Sequence, residues 1–298
     1  MAPQPSSHSF RGQDHVGDDV RQPSPLGAGE IFVRVQACGL NHVDPALSSG
    51  AMSQPSAHGA PMDAAGTVFA VGDGVTRFAV GEEVFGHFPV ESWAWVQAGC
   101  ARMTAEGPHV ERRPEGLDSL AAVALAQAGL TATTILRAAA LRPGHTALVI
   151  GATSRAGTVL VALLAEAGAH VIACATPDDD DYVRSLGAAD TIPYTTANAV
   201  VDALASHPDV DLLVDLVSFG EPYFITAAAR HGTIVTATLG ADKGGIPRIE
   251  ISPERGDLAA LAQRTLHGRR PGELAHVYRL DEVGQRLPVA QPALALAG

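Results

Sequence analysis

The stretch Leu148-Val-Ile-Gly-Ala-Thr-Ser-Arg-Ala-Gly-Thr158 constrains the fold of this chain more than any other. Ala147–Ile150 is a short apolar run, read as a buried strand, and it ends on Gly151. Thr158–Ala167 is apolar on nearly every face, so a helix there must itself be buried. His170–Cys174 is a second apolar run. A strand, a glycine turn, a buried helix and another strand in about 30 residues form a parallel βαβ unit. Asp180–Leu186 reads as a short helix ended by Gly187, and Val210–Val217 and Thr233–Ala237 read as further strands. Strands alternating with helices imply a doubly wound parallel sheet of the Rossmann type, covered on both faces.

The earlier part of the chain has a different texture. Glu30–Ala37 alternates like a half-buried strand. Ala65–Val71 follows, then the turn Gly72-Asp-Gly74, and Val84-Phe-Gly86 opens another strand. Short strands between glycine-rich turns predict a small β-barrel-like domain. Asp118–Arg142 is rich in Ala and Leu and reads as a helix, with Asp118 as its N-cap. Residues 1–26 are rich in Pro, Ser, Gln and Asp and read as irregular. A strand at Ala275–Leu280 and a short helix at Asp281 complete the reading.

Charge and cysteines exclude several classes. A net charge of −12 repels a polyanion, and no basic stripe reverses it locally, so no nucleic-acid partner is expected. Cys38, Cys100 and Cys174 lie far apart without a CxxC pair, which signals neither a zinc knuckle nor a disulfide framework. No apolar run is read as reaching the roughly 20 residues that span a bilayer. The polar start lacks the apolar core of a secretion signal, so the expectation is a cytoplasmic protein without a membrane partner.

The turn suggests a ligand. Gly151 closes a strand and Gly157 opens a helix, so Gly151, Ala152, Thr153, Ser154, Arg155, Ala156 and Gly157 aim backbone N–H groups and a helix dipole at one point. That arrangement suits a pyrophosphate. It departs from G-x-G-x-x-G, because Thr153 holds the second glycine position, and a ligand-free strand-to-helix turn is the competing reading. The second strand of the unit ends near Thr176, followed by Asp178–Asp181. An acid there would hold a ribose 2′-hydroxyl, and four carboxylates would repel a 2′-phosphate, which leans towards NADH. The same acids also suit a solvated helix start.

Several segments together resemble the medium-chain dehydrogenase/reductase superfamily. They are Gly29–Asp44, Met62–Val84, Ala126-Gln-Ala-Gly-Leu-Thr-Ala132 and Tyr182–Asp190, in the family's order from about Pro25 to Val283. The resemblance implies a GroES-like β-barrel catalytic domain from residues 1–120 and 257–298, and a Rossmann dinucleotide-binding domain from residues 121–256. It also implies NADPH or NADH as cofactor, with NADPH the commoner in the family, a small apolar substrate and a homodimer. At the positions of the family's catalytic zinc ligands stand Asn41, Met62 and Gln127, which are poor zinc ligands, and the structural zinc lobe is absent. The zinc-free quinone reductase and enoyl reductase branch is therefore the one resembled.

In that branch hydride passes to a quinone or an α,β-unsaturated carbonyl. Asn41 is the first candidate at nicotinamide or substrate, since its amide can donate to a carboxamide or enolate oxygen; a turn role competes equally. Thr131 matches a family residue that reaches the nicotinamide; a hydroxyl bonded to its own helix is the alternative. Ser218, Thr238 and Gly240 follow later strands, on the edge of the sheet that faces ligands. Asp44 and Asp63 match acidic positions that hold loops. Departures from the pattern are Ser154-Arg-Ala-Gly157 in place of Gly-Gly-Val-Gly, and Ala46 where a tyrosine is common. They keep a second reading open, a relative that lost redox chemistry and acts as a non-redox cyclase or isomerase, or as a ligand-binding protein.

Overall fold

The computed structural model describes residues 26–39, 63–87, 100–193, 205–206, 209–216, 233–236 and 252–268. They fall into two compact units that divide between Val123 and Ala124.

The first unit carries β1 (Glu30–Gly39), β2 (Asp63–Val71), β3 (Glu83–His87), β4 (Cys100–Thr104) and β5 (Val110–Arg112). They form a five-stranded sheet in the order β4-β1-β2-β3-β5, and every pairing is antiparallel. Neither β4 nor β5 was expected from the sequence; both are short and alternate polar residues with the buried Ala101, Met103 and Val110. The alternation expected of β1 is broken at Ile31, Phe32 and Val33, all three buried. The cause is a register shift, since Phe32 faces Ala70 and Val33 faces Val68, leaving Phe69 as an extra residue on β2. Such a bulge re-aims the side chains beyond it. Ile31, Val33, Ala64, Val68, Phe78, Val84 and Met103 make the core of this unit.

His109 precedes β5, and its imidazole is held below its ordinary pKa of 6.5, first by burial and then by the neighbouring His87. A depressed folded pKa means that the unfolded chain binds more protons in the window just below 6.5. Stability from this group is therefore complete above pH 6.5 and is lost as pH falls through the lowered value. Melting temperatures between pH 7.5 and 5 should fall, and His109→Asn should reduce the part of the slope that begins near pH 6.5.

The second unit contains most of α1 (Ser119–Ala139), then β6 (Thr146–Ile150), α2 (Arg155–Glu166), β7 (His170–Ala175), α3 (Asp180–Ser185), β8 (Asp190–Pro193), β9 (Leu212–Asp215), β10 (Thr233–Thr236) and α4 (Asp257–Leu266). All five strands are parallel, in the order β10-β9-β6-β7-β8. In β6, Ala147, Leu148, Val149 and Ile150 are all 0% exposed, as a strand covered on both faces requires. Asp118 caps α1 as expected, its carboxylate accepting from Ala121 N–H at 2.9 Å.

Two expectations need correction. At 21 residues, α1 is long and apolar enough by composition to cross a bilayer, contrary to the sequence reading, but 67% of its most apolar stretch is buried inside the protein. Its apolarity serves the core through Leu125, Leu130 and Ile135, each at most 1% exposed. The other concerns α4, placed at residue 257 in the returning first domain. Leu261 of α4 instead packs in the core of the second unit, and Arg137 of α1 grips Asp257 through two 2.9 Å bonds.

Candidate functional site

Position in the sheet comes first. From β6 the chain runs through α2 to β7 on one side, while β9 lies on the other side of β6. Connections leaving β6 and β9 therefore diverge, and the carboxyl ends of these two strands border a crevice. Ile150 and Asp215 are register partners there, and Leu216 N–H donates to Ile150 O at 3.1 Å. Asp215 is only 5% exposed. It was not among the sequence candidates, since an acid inside the run Val210–Val217 reads only as part of a strand.

Directly beyond Ile150 the chain turns on Gly151, whose φ of +82° is a region that side chains resist. Ala152 N–H donates to Cys174 O at 3.3 Å, which ties the turn to the end of β7. Ser154 N–H donates to Gly151 O at 3.0 Å and closes the loop. Ser154 is also the N-cap of α2, its Oγ accepting from Gly157 N–H at 3.1 Å. A Cβ on Gly157 would lie 2.1 Å from Gly151 O and 2.8 Å from Ala152 O, so only glycine lets the helix start this close to the turn. Ser154 thus answers the N–H of Gly157, and among the described residues no acceptor is seen for that of Ala156. In general, backbone N–H groups left open at a helix start suit an anion. Ser154→Ala should cost about 1 kcal/mol of stability through the lost cap, read as a shift in denaturant midpoint.

The side chains around the turn divide. Thr153 is exposed at its tip, and Ala152 is buried. Arg155 is partly buried and sends Nη2 towards Ala124 O of α1 at 3.5 Å, long enough to hold the guanidinium weakly. Thr131 of α1 is 7% exposed. Its neighbour Thr133 donates back to Gly129 O at 2.8 Å, and among the described residues no such bond is seen from the Thr131 hydroxyl.

At the tip of β7, Thr176 is exposed and its hydroxyl donates to Asp179 at 2.7 Å. Arg184, the basic group closest in sequence to this tip, is fully engaged in its own helix and strand. It bonds Asp180 at 2.8 Å, Ala189 O at 2.9 Å and Thr191 at 2.9 Å. The Thr191 hydroxyl and the Arg184 guanidinium hold the Asp180 carboxyl below its ordinary range. Asn41, Ser218, Thr238 and Gly240 lie outside the described residues, as do Met62, Asp44 and Ala46. Among the described residues no three His, Cys, Asp or Glu side chains gather as a metal site.

Three comparisons bear on this arrangement. The family model described as Alcohol dehydrogenase GroES-like domain matches residues 27–141. The structure resembles the quinone oxidoreductase from Coxiella burnetii with a TM-score of 0.74, at 22% identity, covering 88% of this chain and 87% of that one. It resembles CurK enoyl reductase with a TM-score of 0.69, at 20% identity, covering 89% of each chain. Residues 27–141 match the alcohol dehydrogenase GroES-like domain, and the fold is the one shared by medium-chain dehydrogenase/reductase proteins, which the chain resembles.

Sequence similarity also reaches very large enzymes. Erythronolide synthase EryA2 of Saccharopolyspora erythraea is 38% identical over 170 residues, which is 57% of this chain but only 4% of that protein. The superfamily's paired architecture, a GroES-like unit and a Rossmann unit, is what the two sheets display.

Proposed function

We propose that this chain is a zinc-independent reductase that delivers hydride from a reduced nicotinamide dinucleotide to a quinone or an α,β-unsaturated carbonyl. The observation that carries the reading is the Gly151–Gly157 cradle at the switch point of the parallel sheet, where a single Cβ on Gly157 would close the space. Its backbone N–H groups and the start of α2 suit a diphosphate, so the residues present fit the group. When bound, the nicotinamide supplies a hydride with its electron pair.

The chain's residues do the rest. The turn holds the diphosphate and the α2 dipole offsets its charge. Thr131 orients the nicotinamide end, and Asn41 donates to the oxygen on which charge develops. At the tip of β7, Asp178 and Asp179 receive the ribose hydroxyls. With Arg184 held by Asp180, Ala189 O and Thr191, it is not offered to a 2′-phosphate, which favours NADH over NADPH.

The test is a melting series with NAD⁺, NADH, NADP⁺ and NADPH. A shift should appear, largest for NADH, and reduced-nicotinamide absorbance should decay when an enone or quinone is added. Absence of a shift with all four removes the reading. A shift without cofactor consumption for any acceptor would favour the non-redox alternative. The homodimer reading places a second copy against β10, the outermost described strand of its sheet, and equilibrium sedimentation decides it.

A further inference from the structure

One end of the first unit's sheet gathers two imidazoles and a buried carboxylate. Gly39 of β1, Asp63 of β2 and His87 of β3 are successive register partners there. His87 N–H donates to His109 O at 2.9 Å, which brings the residue before β5 to the same end. The backbones run close, since a Cβ on Gly86 would lie 2.1 Å from His109 O. The two rings stand 6.1 Å apart, tilted by 47°.

The rings are anchored differently. Asp63 is 0% exposed and keeps a carboxylate oxygen 3.0 Å from Nδ1 of His87. A carboxylate there accepts the ring N–H, so His87 is held by β2 as well as by its own strand. His109 has no such tie: its Nδ1 is buried, and among the described residues it has no partner. The neutral ring tolerates this with a bare lone pair on Nδ1 and its proton on Nε2. A second proton must go to Nδ1, where a buried N–H without an acceptor is costly. The new charge would also face His87. Both effects hold the His109 imidazole below its ordinary pKa of 6.5, burial first.

The other ionisable side chains described on these elements are engaged elsewhere. Arg77 reaches the loop before His109, donating to Gly107 O at 2.8 Å, and pairs with Glu111 of β5 at 2.7 Å. Arg112 pairs with Glu82 at 3.1 Å and Arg113 with Glu83 at 2.7 Å. Glu106 is exposed, and β1 brings Cys38 beside Gly39. From α1, the apolar Val123 lies behind Gly39.

We propose that His109 is the trigger of an acid-sensitive clasp: a second proton expels its ring, and the His109 end of β5 parts from β3 while His87 stays on Asp63. β5 is short enough to yield, with three residues at the margin of the described sheet and β3 as its neighbour. The far end of the strand is fastened by Arg113 N–H, which donates to Glu83 O at 2.8 Å, so the opening is local. It loosens the end of the sheet where β1 and β3 finish and β2 begins. The order of that end thus becomes a function of pH. In the open state the ring returns towards 6.5 and binds a proton that the closed state refuses. Opening therefore grows by up to about tenfold per pH unit as pH falls from 6.5 to the lowered value, and levels off below it.

Backbone hydrogen exchange of the whole chain, corrected for the intrinsic rate at each pH, tests this between pH 7.5 and 5. Protection of the His87 amide should fall by up to about tenfold per unit below pH 6.5. At pH 5.5 its exchange should be insensitive to low urea, as local opening exposes little surface. The Gly72 amide, which donates to Glu30 O at 2.8 Å at the other end of the sheet, should stay better protected and respond to urea. His109→Asn, neutral throughout, should keep the His87 amide protected down to pH 5. His87→Gln removes the facing charge and should shrink the total loss. A His87 amide whose protection does not change with pH overturns the proposal. So does one that matches Gly72 in protection and urea response, which would mean global unfolding only. An undiminished pH response in His109→Asn would move the trigger elsewhere and overturn it as well.

Discussion

Gly157→Ala is expected to erase the melting shift that a nicotinamide nucleotide gives to the wild-type chain. The added Cβ would sit 2.1 Å from Gly151 O and 2.8 Å from Ala152 O, both backbone atoms that cannot rotate away. Either α2 recedes or the turn opens, and each moves the N–H groups off the diphosphate position. Overpacking of this kind costs roughly 2 kcal/mol, or about 4–8 °C for a unit of this size. Wild type should gain about 2.7 kcal/mol from ligand at 100 times Kd, and the variant none. A folded Gly157→Ala protein with wild-type affinity would show that the turn does not hold the nucleotide.

Leu160→Ala should have the largest effect on stability alone. Leu160 is 0% exposed on α2, in the core of the second unit with Val149, Leu164 and Val214. Removing it forfeits transfer energy and leaves a cavity, at a cost of about 2–5 kcal/mol. Val80→Ala is the natural control: Val80 is 62% exposed, so its loss should stay within about 0.5 kcal/mol. Urea midpoints of the two variants against wild type measure the difference. A loss at Leu160 no larger than at Val80 would mean that α2 is not packed as described.

The second unit was the more legible of the two. Its strands β6, β7 and β9 are near-continuous apolar runs, because a parallel sheet is buried on both faces, and its helix α2 is apolar enough to stand out between them. The first unit hid β4 and β5 because antiparallel strands of three to five residues bury only one or two side chains each. The bulge at Phe69 was invisible for a related reason: an extra residue in one strand shows only when the partner strand is beside it. Of the candidate site, the turn from Gly151 to Gly157 was legible as a motif. Asp215 was not, since an acid at a strand end has no periodicity to betray it.

By itself, the order of apolar runs, glycines and caps determined that a strand–turn–helix–strand unit stands in a parallel sheet, because few packings bury those runs and satisfy their backbone. Only the tertiary structure decided which groups are available and which are spent. Arg184 is consumed by Asp180 and Thr191 and Thr176 by Asp179, while Asp63 meets His87. Partners such as Asp63 and His87, 24 residues apart, come together only through strand register, which depends on packing across the sheet rather than on local sequence.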